Sequence, residues 1–439
     1  MSHYILLLLL FVSLYSMAQI PNIPDSSKNE NRNFHFQLTT VSQRKLAMQA
    51  PYTGTNSLSK EDETATTLTS TIFWGTRLWR GAEFHVNPEI AGGAGISSAK
   101  GIAGFTNGEA FRVGDPAPVI YVGRVYIKQT FSMGGETEYI GEGANQVTKT
   151  RTKKYFSIAL GKFSIADFFD NNSYSHDPRS QFFNWSLMSN GAWDYPANVR
   201  GYTWGGVLEY GRPQWKIRFA SVLVPTTANG NEMDLNYSKA NSNVLEIEKP
   251  FFITKRKGIL RVLGFYTSAF MGNYDLSVAA NPSSPDITST RQYGRNKYGW
   301  GINIEQALLD NLGLFARTSW NDGKNETWAF TEIDNSISAG IKGSGLFFKR
   351  KNDEIGLGFV VNGISNPHQN YLKSGGYGFI IGDGNLNYGK EFITELFYKI
   401  NIFYDGFWLT PNYQFVSNPA YNKDRGPANI FSIRAHIEL

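Results

Sequence analysis

The chain has 439 residues, a net charge of +5, 44 glycines, 15% aromatic residues and no cysteine. The missing cysteine excludes disulfides, thiol catalysis, thiolate metal sites and iron–sulfur clusters. The positive charge is modest and spread along the chain, so no nucleic-acid partner is predicted.

The first predicted element is a secretory signal over residues 1–18. Its apolar stretch, Ile5–Leu14, is about ten residues long, which suits a signal peptide and is too short to span a bilayer as a helix. Ser16 and Ala18 supply the small residues expected before a cleavage point. No later apolar run approaches the length of a transmembrane helix. The sequence therefore predicts an exported chain, with a periplasmic segment over 19–32 and one folded unit over 33–439.

Sixteen strand-like segments follow, each bounded by turn residues. Their predicted spans are 33–43, 64–77, 80–94, 119–132, 152–163, 198–210, 213–224, 242–255, 258–271, 294–308, 312–319, 336–349, 355–365, 387–402, 405–417 and 428–439. Tight turns are predicted at 78–81, 211–213, 256–258, 310–313 and 404–406, and long polar links lie between them. This alternation is typical of outer-membrane β-barrels, with short periplasmic turns and long extracellular loops.

One connector breaks the alternation. Residues 133–151 fall where a short turn is expected, and we interpret them as two long strands that extend past the membrane around Gly141–Gly143.

Individual strands alternate between an apolar and a polar face. In the last nine residues, Phe431, Ile433 and Leu439 share one face with Ala435 and Ile437, while the polar side chains share the other. An edge strand of a soluble sandwich would alternate in the same way, but a sandwich gives no reason for the alternating connectors. A charge on the lipid-facing side costs a few kcal/mol, so the charged faces are expected to point into a wet lumen. We therefore predict an all-β fold, a transmembrane β-barrel of about 16 antiparallel strands, wide enough for an aqueous channel.

The third long link, 164–197, is rich in aromatic and acidic residues and has room for helical turns near 165–171 and 181–189. One interpretation is that it folds into the barrel and narrows the pore; the other is that it packs outside on neighbouring loops. Its candidate constriction residues are Asp167, Asp170, Asp177, Arg179, Trp185 and Trp193. The spacing of its acidic residues and His176 matches no calcium loop, so no metal and no cofactor is predicted.

Enzymatic motifs are missing from the sequence. The six histidines are scattered, and neither a Ser-centred elbow nor a phosphate-binding loop is present. The chain is not predicted to be an enzyme.

Several short motifs, in chain order, resemble the carbohydrate-selective porin family of Gram-negative outer membranes. They include Trp79-Arg-Gly-Ala-Glu83, the segment Gly161–Asp170, Trp193-Asp-Tyr-Pro-Ala197 and Gly375-Gly-Tyr-Gly-Phe379. The resemblance implies passive diffusion of mono- and small oligosaccharides through a zone lined by Arg, Glu and aromatic residues. The positions that fit this zone are Arg77, Arg80, Glu83, Glu89, Glu109, Arg112 and Arg124. Many such barrels end in Phe, whereas this chain ends in Leu439.

The resemblance also implies a place in the outer membrane, among its lipid and lipopolysaccharide, and assembly by the barrel-assembly machinery. The predicted partners are carbohydrate solutes, and the predicted oligomeric state is a monomer or a homotrimer. The alternative hypothesis is a barrel that transports nothing and acts as an adhesin or an envelope structural protein.

Overall fold

The computed structural model describes residues 31–110, 117–345, 349–403 and 406–439. The predicted signal, most of the predicted segment 19–32, and Arg112 lie outside these ranges. Sixteen of the eighteen strands form one closed antiparallel barrel. The strands are β1 Arg32–Lys45, β2 Glu63–Trp79, β3 Ala82–Gly93, β4 Val119–Ser132, β5 Thr137–Ile140, β6 Lys149–Thr152, β7 Tyr155–Phe163, β8 Thr203–Arg212, β9 Trp215–Val222, β10 Asn241–Ile253, β11 Arg256–Met271, β12 Gln292–Leu309, β13 Leu312–Asn321, β14 Asn335–Ser344, β15 Glu354–Gly363, β16 Glu391–Phe403, β17 Phe407–Ser417 and β18 Ala428–Glu438.

Each barrel strand pairs with its neighbour in the chain, except that β4 pairs with β7 across the small β5–β6 sheet. β1 closes the barrel against β18, in a register that runs from Gln37 opposite Glu438 to Lys45 opposite Ile430. The helices are short and lie in the links: α1 Trp185–Met188, α2 Tyr274–Ala280, α3 Asn366–Lys373, and 3₁₀ turns at Ile96–Ser98, Ile165–Asp167, Ile287–Thr290 and Pro419–Tyr421. Within the described ranges, no helix is long and apolar enough to cross a membrane.

The barrel wall is apolar outside and polar inside. Ile433 is 54% exposed and Ile120 is 72% exposed, while Arg434 and His436 are buried at 0% and 1%. Apolar side chains on an outer surface belong in hydrocarbon, and the charged faces point inward as the alternation predicts. The predicted sixteen-strand barrel is confirmed, including the two faces of the last strand.

The strand ends are less well predicted. The turn expected at 256–258 is wrong: the chain reverses at Thr254 and Lys255, whose φ angles are +49° and +67°. These residue types rarely adopt such angles, so the sequence gives no signal for the turn. Gly258 lies within β11, where a Cβ would come within 2.5 Å of the Phe251 ring. β8 begins at Thr203, five residues after the predicted start at 198.

The irregular connector 133–151 holds two paired strands around Gly141–Gly143, as interpreted, but these strands do not continue the barrel wall. β4 ends at Ser132, and the connector forms its own two-stranded sheet of β5 and β6. We call residues 133–154 the periplasmic hairpin. Its tip folds back toward the lumen, where Asn33 Nδ2 donates to the carbonyls of Gly143 and Gln146 at 2.8 and 3.0 Å.

Candidate functional site

The long link 164–202, here called the inner loop, folds inside the barrel. Its helical turns at Ile165–Asp167 and Trp185–Met188 lie where they were expected. At the first, Ser164 and Asp167 bond each other's backbone in a capping box; at the second, Asn184 accepts the amide of Ser186. These caps hold short helices that propensity alone would not stabilise.

Asp170 fixes the inner loop to strands on the far side of the barrel. Its carboxylate accepts the backbone amide of Asn190 at 2.6 Å, Nδ2 of Asn303 at 2.6 Å and Nε of Arg317 at 3.1 Å. Arg317 also donates to the carbonyl oxygens of Ser175 and Leu187. Asp170 is thus an anchor within the protein, and it does not line the pore as the sequence suggested.

The inner loop continues along β16 and β18. Glu395 accepts the backbone amides of Phe183 and Asn184 at 2.6 and 2.9 Å. Phe182 packs edge-on against Phe397, with ring centroids 5.0 Å apart. In β18, Arg434 donates to two carbonyl oxygens of the loop, those of Pro178 and Gln181, both at 2.8 Å.

A second link, residues 94–110, covers the wall next to this one, and we call it the bracing loop. Glu391 accepts the amides of Ala103 and Gly104 at 3.0 and 2.8 Å. Gln43 and Gln414 donate to the carbonyl of Thr106 at 3.0 and 2.7 Å. The wall from β10 through β18 is therefore largely covered, and the expectation that all inward charges face water is wrong for this part.

The open space lies on the opposite side, between the inner loop and strands β1 to β4. It is a cavity of about 320 Å³. Its lining includes Gln37, Phe73, Glu89, Glu109, Tyr121, Arg124, Asp167, Asp177, Arg179, Trp185, Tyr195, Arg200, Tyr202 and Phe330.

A β-bulge at Gly123 shapes the cavity wall. The register of β3 against β4 shifts there, from Asn87 opposite Arg124 to Pro88 opposite Val122. Pro88 has no N–H to donate, which favours a break in the ladder. The extra residue reverses the alternation, so Tyr121 and Arg124 both point inward although they are three residues apart.

Two arginines hold the acidic groups of the cavity. Arg124 makes a two-pronged pair with Asp167, with both N–O distances at 2.7 Å. Arg179 contacts Glu109 at 2.9 Å and Glu89 at 3.0 Å. Burial alone would lower the pKa of Arg179, but the adjacent Glu109 and Glu89 raise its pKa well above the usual value, and the guanidinium stays charged.

Glu89 joins the charged and aromatic groups. It accepts hydrogen bonds from the hydroxyls of Tyr121, Tyr202 at 3.0 Å and Thr71 at 2.5 Å. The Tyr121 ring also lies 4.1 Å from the guanidinium carbon of Arg200. Rings and charges therefore fix each other's positions along one wall.

Three stacked rings form the facing side. Trp185 stacks on Tyr195 and on Phe330, with centroids 5.3 and 5.0 Å apart, and all three line the cavity. Phe330 belongs to another link, and Asp194 holds it by accepting its backbone amide at 2.9 Å. The Trp185 indole N–H has no partner within the described protein.

The remaining predicted site residues lie elsewhere. Arg77, Arg80 and Glu83 line a second cavity of about 820 Å³ at the periplasmic end, next to Lys149. Trp193 is fully buried behind Tyr195. Among the described residues, no three acidic or histidine side chains converge as metal ligands would.

Sequence reasoning brought together Glu89, Glu109, Arg124, Asp167, Asp177, Arg179 and Trp185, all of which line the cavity. It missed Tyr121, Tyr202, Tyr195 and Phe330. Pro88 and Gly123, a proline and a glycine in adjacent strands, are the local signal that would have placed Tyr121. Phe330 carries no such signal, because its position depends on a contact with Asp194 far away in the chain.

A closed sixteen-strand barrel with an internal loop and a charged constriction defines the outer-membrane porin class. The family model described as carbohydrate-selective porin, OprB family, matches residues 55–439, and the chain belongs to this family. It is therefore a protein of the Gram-negative outer membrane, and the family indicates a channel rather than an enzyme.

Solved structures agree with the fold. The chain superposes on the high-pH structure of Pseudomonas putida OprB with a TM-score of 0.70 and 16% identity, covering 93% of this chain and 94% of that one. The outer membrane channel DcaP of Acinetobacter baumannii gives a TM-score of 0.50 at 10% identity, covering 93% and 97%. In sequence, the chain is 21% identical to Porin AaxA of Chlamydia pneumoniae over 288 residues, which is 65% of this chain and 56% of that protein.

Proposed function

We propose that this porin passes neutral mono- and small oligosaccharides down their concentration gradient. The observation that carries the proposal is the 320 Å³ cavity, where arginines and carboxylates face a stack of three aromatic rings. Sugars carry hydroxyls around their edges and apolar C–H faces, and this cavity offers a partner to each.

The charged groups of the cavity are preorganised to replace part of the hydration shell of a sugar. Asp167 holds Arg124, and Arg179, Glu89 and Glu109 are held by one another and by tyrosines, so these groups need little rearrangement when a sugar hydroxyl replaces a water. Because each group already has a protein partner, its contact with the sugar is weak. Weak contacts at several points favour entry without trapping the solute.

The ring stack supplies the second contact. Trp185 and Phe330 border the cavity, and their apolar surface there can pack against the C–H face of a pyranose. Opposite signs of charge close together give no strong preference for one ion, which suits a neutral solute.

The test compares sugar permeation with ion permeation in the same preparation. The variant R124Q/E109Q removes one cation and one anion from the cavity, and liposome swelling in glucose relative to potassium chloride conductance should fall about fivefold, the value of one hydrogen bond of ~1 kcal/mol. The matched control R44Q/D62N removes the exposed ion pair Arg44–Asp62 and should leave the ratio unchanged. An unchanged ratio in R124Q/E109Q would contradict the proposed site.

The same experiment decides on the alternative of a non-transporting barrel. A barrel that serves only as an adhesin or structural protein would give no steady current in a planar bilayer and no swelling in any sugar.

A further inference from the structure

The periplasmic hairpin lies across the inner mouth of the barrel on the side that holds the cavity. Its base joins β4 to β7, and its tip is bonded to Asn33 in β1. β1 and β4 are three strand spacings apart in the barrel, about 14 Å. A periplasmic turn has no need to reach so far, since two residues are enough to join β2 to β3, β8 to β9, β10 to β11 and β12 to β13.

Contacts along the arms hold the hairpin against this wall. Arg77 in β2 donates to the carbonyl of Thr148, and Lys149 pairs with Glu83 in β3. Val147 and Thr148 are buried as a result. The hairpin therefore contacts β1, β2 and β3 in turn, and it is fixed in one position beneath the cavity.

The tip belongs to the constriction itself. Ala144 and Asn145 line the same cavity as Glu89, Arg124 and Arg179. Lys149 and Arg151, on the returning arm, line the second cavity at the periplasmic end. The hairpin thus borders both spaces, with its tip at the constriction and its returning arm at the periplasmic end.

We infer that the periplasmic hairpin forms the floor of the constriction and sets the upper size limit for solutes from the periplasmic side. Ala144 is the residue that decides the width at this point, because its methyl group leaves space that a larger side chain would fill. The inference rests on the proposed sugar pathway for its biological meaning, but the effect of the hairpin on the width of the pore can be measured from ion conductance alone.

The first experiment adds bulk at two places on the same hairpin. A144W directs an indole at the cavity and should lower single-channel conductance about twofold or more, with a larger fall in sugar swelling. The matched control T137W adds the same group to an exposed position on β5, away from the cavity, and should leave both values unchanged. Equal conductance in A144W and wild type, or an equal fall in T137W, would overturn the inference.

The second experiment removes the floor. Ser132 pairs with Tyr155, and the Met133 amide donates to the Lys154 carbonyl at 2.9 Å, so residues 134–153 can be replaced by an Asn-Gly turn without changing the barrel sheet. Heat-modifiable migration in SDS verifies that the variant folds. Higher conductance and entry of oligosaccharides that the wild type excludes would support the inference, and an unchanged conductance and size limit would overturn it.

The two proposals fail differently. If the wild type carries ions but swells in no sugar, the proposed function fails, while the conductance of A144W still reports on the floor. If the wild type passes sugars and the hairpin variants behave like the wild type, the proposed function stands, and the inference that the hairpin sets the size limit fails.

Discussion

The barrel has two walls built from the same sequence pattern and put to different uses. On the wall of β10 to β18, inward carboxylates such as Glu391 and Glu395 accept backbone amides from the two internal loops and are fully buried. On the wall of β2 to β4, Glu89 instead contacts side chains and borders an open cavity. An inward charge therefore does not by itself identify a pore-lining residue. A carboxylate that accepts backbone amides is covered by a loop, whereas Glu89, which contacts side chains, borders the cavity.

The two walls also differ in their apolar residues. Ile393 and Phe397 share the inward face of β16 with Glu391 and Glu395, and both are fully buried. On the inward face of β3, the corresponding positions are Glu83, His85, Asn87 and Glu89. The apolar residues among the inward charges of β16 thus mark where the inner loop packs, as the contact of Phe397 with Phe182 shows.

The largest expected effect comes from removing the anchor on the covered wall. D170A leaves the buried Arg317 without its carboxylate, and we expect a loss of about 3–5 kcal/mol in unfolding free energy. The matched variant D167A, three residues earlier in the same loop, removes a cap and a partly exposed pair and should cost about 1 kcal/mol. Urea unfolding in lipid vesicles measures both; similar losses would show that the two walls do not differ in this way.

The second prediction compares the removal of one negative charge on each wall. E395Q and E89Q both remove a carboxylate that accepts several hydrogen bonds, and each should lower the unfolding free energy by roughly 1–3 kcal/mol. Only E89Q removes negative charge from the cavity, so only E89Q should shift the permeability ratio toward chloride, about twofold. Reversal potentials under a potassium chloride gradient separate the two variants, and a shift in E395Q would mean that ions reach the covered wall.

The smallest effect is expected from one hydroxyl of the cavity. Y121F removes a hydrogen bond to Glu89 and should lower the unfolding free energy by about 0.5–1.5 kcal/mol. The ion conductance should be unchanged, while liposome swelling in glucose should become slower. Y413F is the control, because the Tyr413 hydroxyl donates to Asn429 at 2.7 Å away from the cavity. A glucose effect of equal size in Y413F would remove Tyr121 from the proposed site.

Much of the fold follows from local pattern. The alternation within each strand and the alternation of connector lengths need only neighbouring residues, and they gave all sixteen barrel strands and the inward position of the inner loop as one of two interpretations. Turn positions were less accurate where Thr254 and Lys255 adopt positive φ without a glycine.

The site was harder to predict because it depends on distant contacts. Asp167 and Asp170 look alike in sequence, yet Asp167 meets Arg124 in the cavity and Asp170 meets Arg317 on the covered wall. Only the path of the inner loop decides between them. The direction of Tyr121 required the bulge at Gly123, which strict alternation does not foresee.

The contacts between Arg434 and the inner loop constrain the order of assembly. Arg434 donates to Gln181, a residue 253 positions earlier in the chain, from the same strand that closes the barrel on β1. These hydrogen bonds can form only once β18 has joined the sheet. The strand that closes the cylinder therefore also completes the fixation of the inner loop.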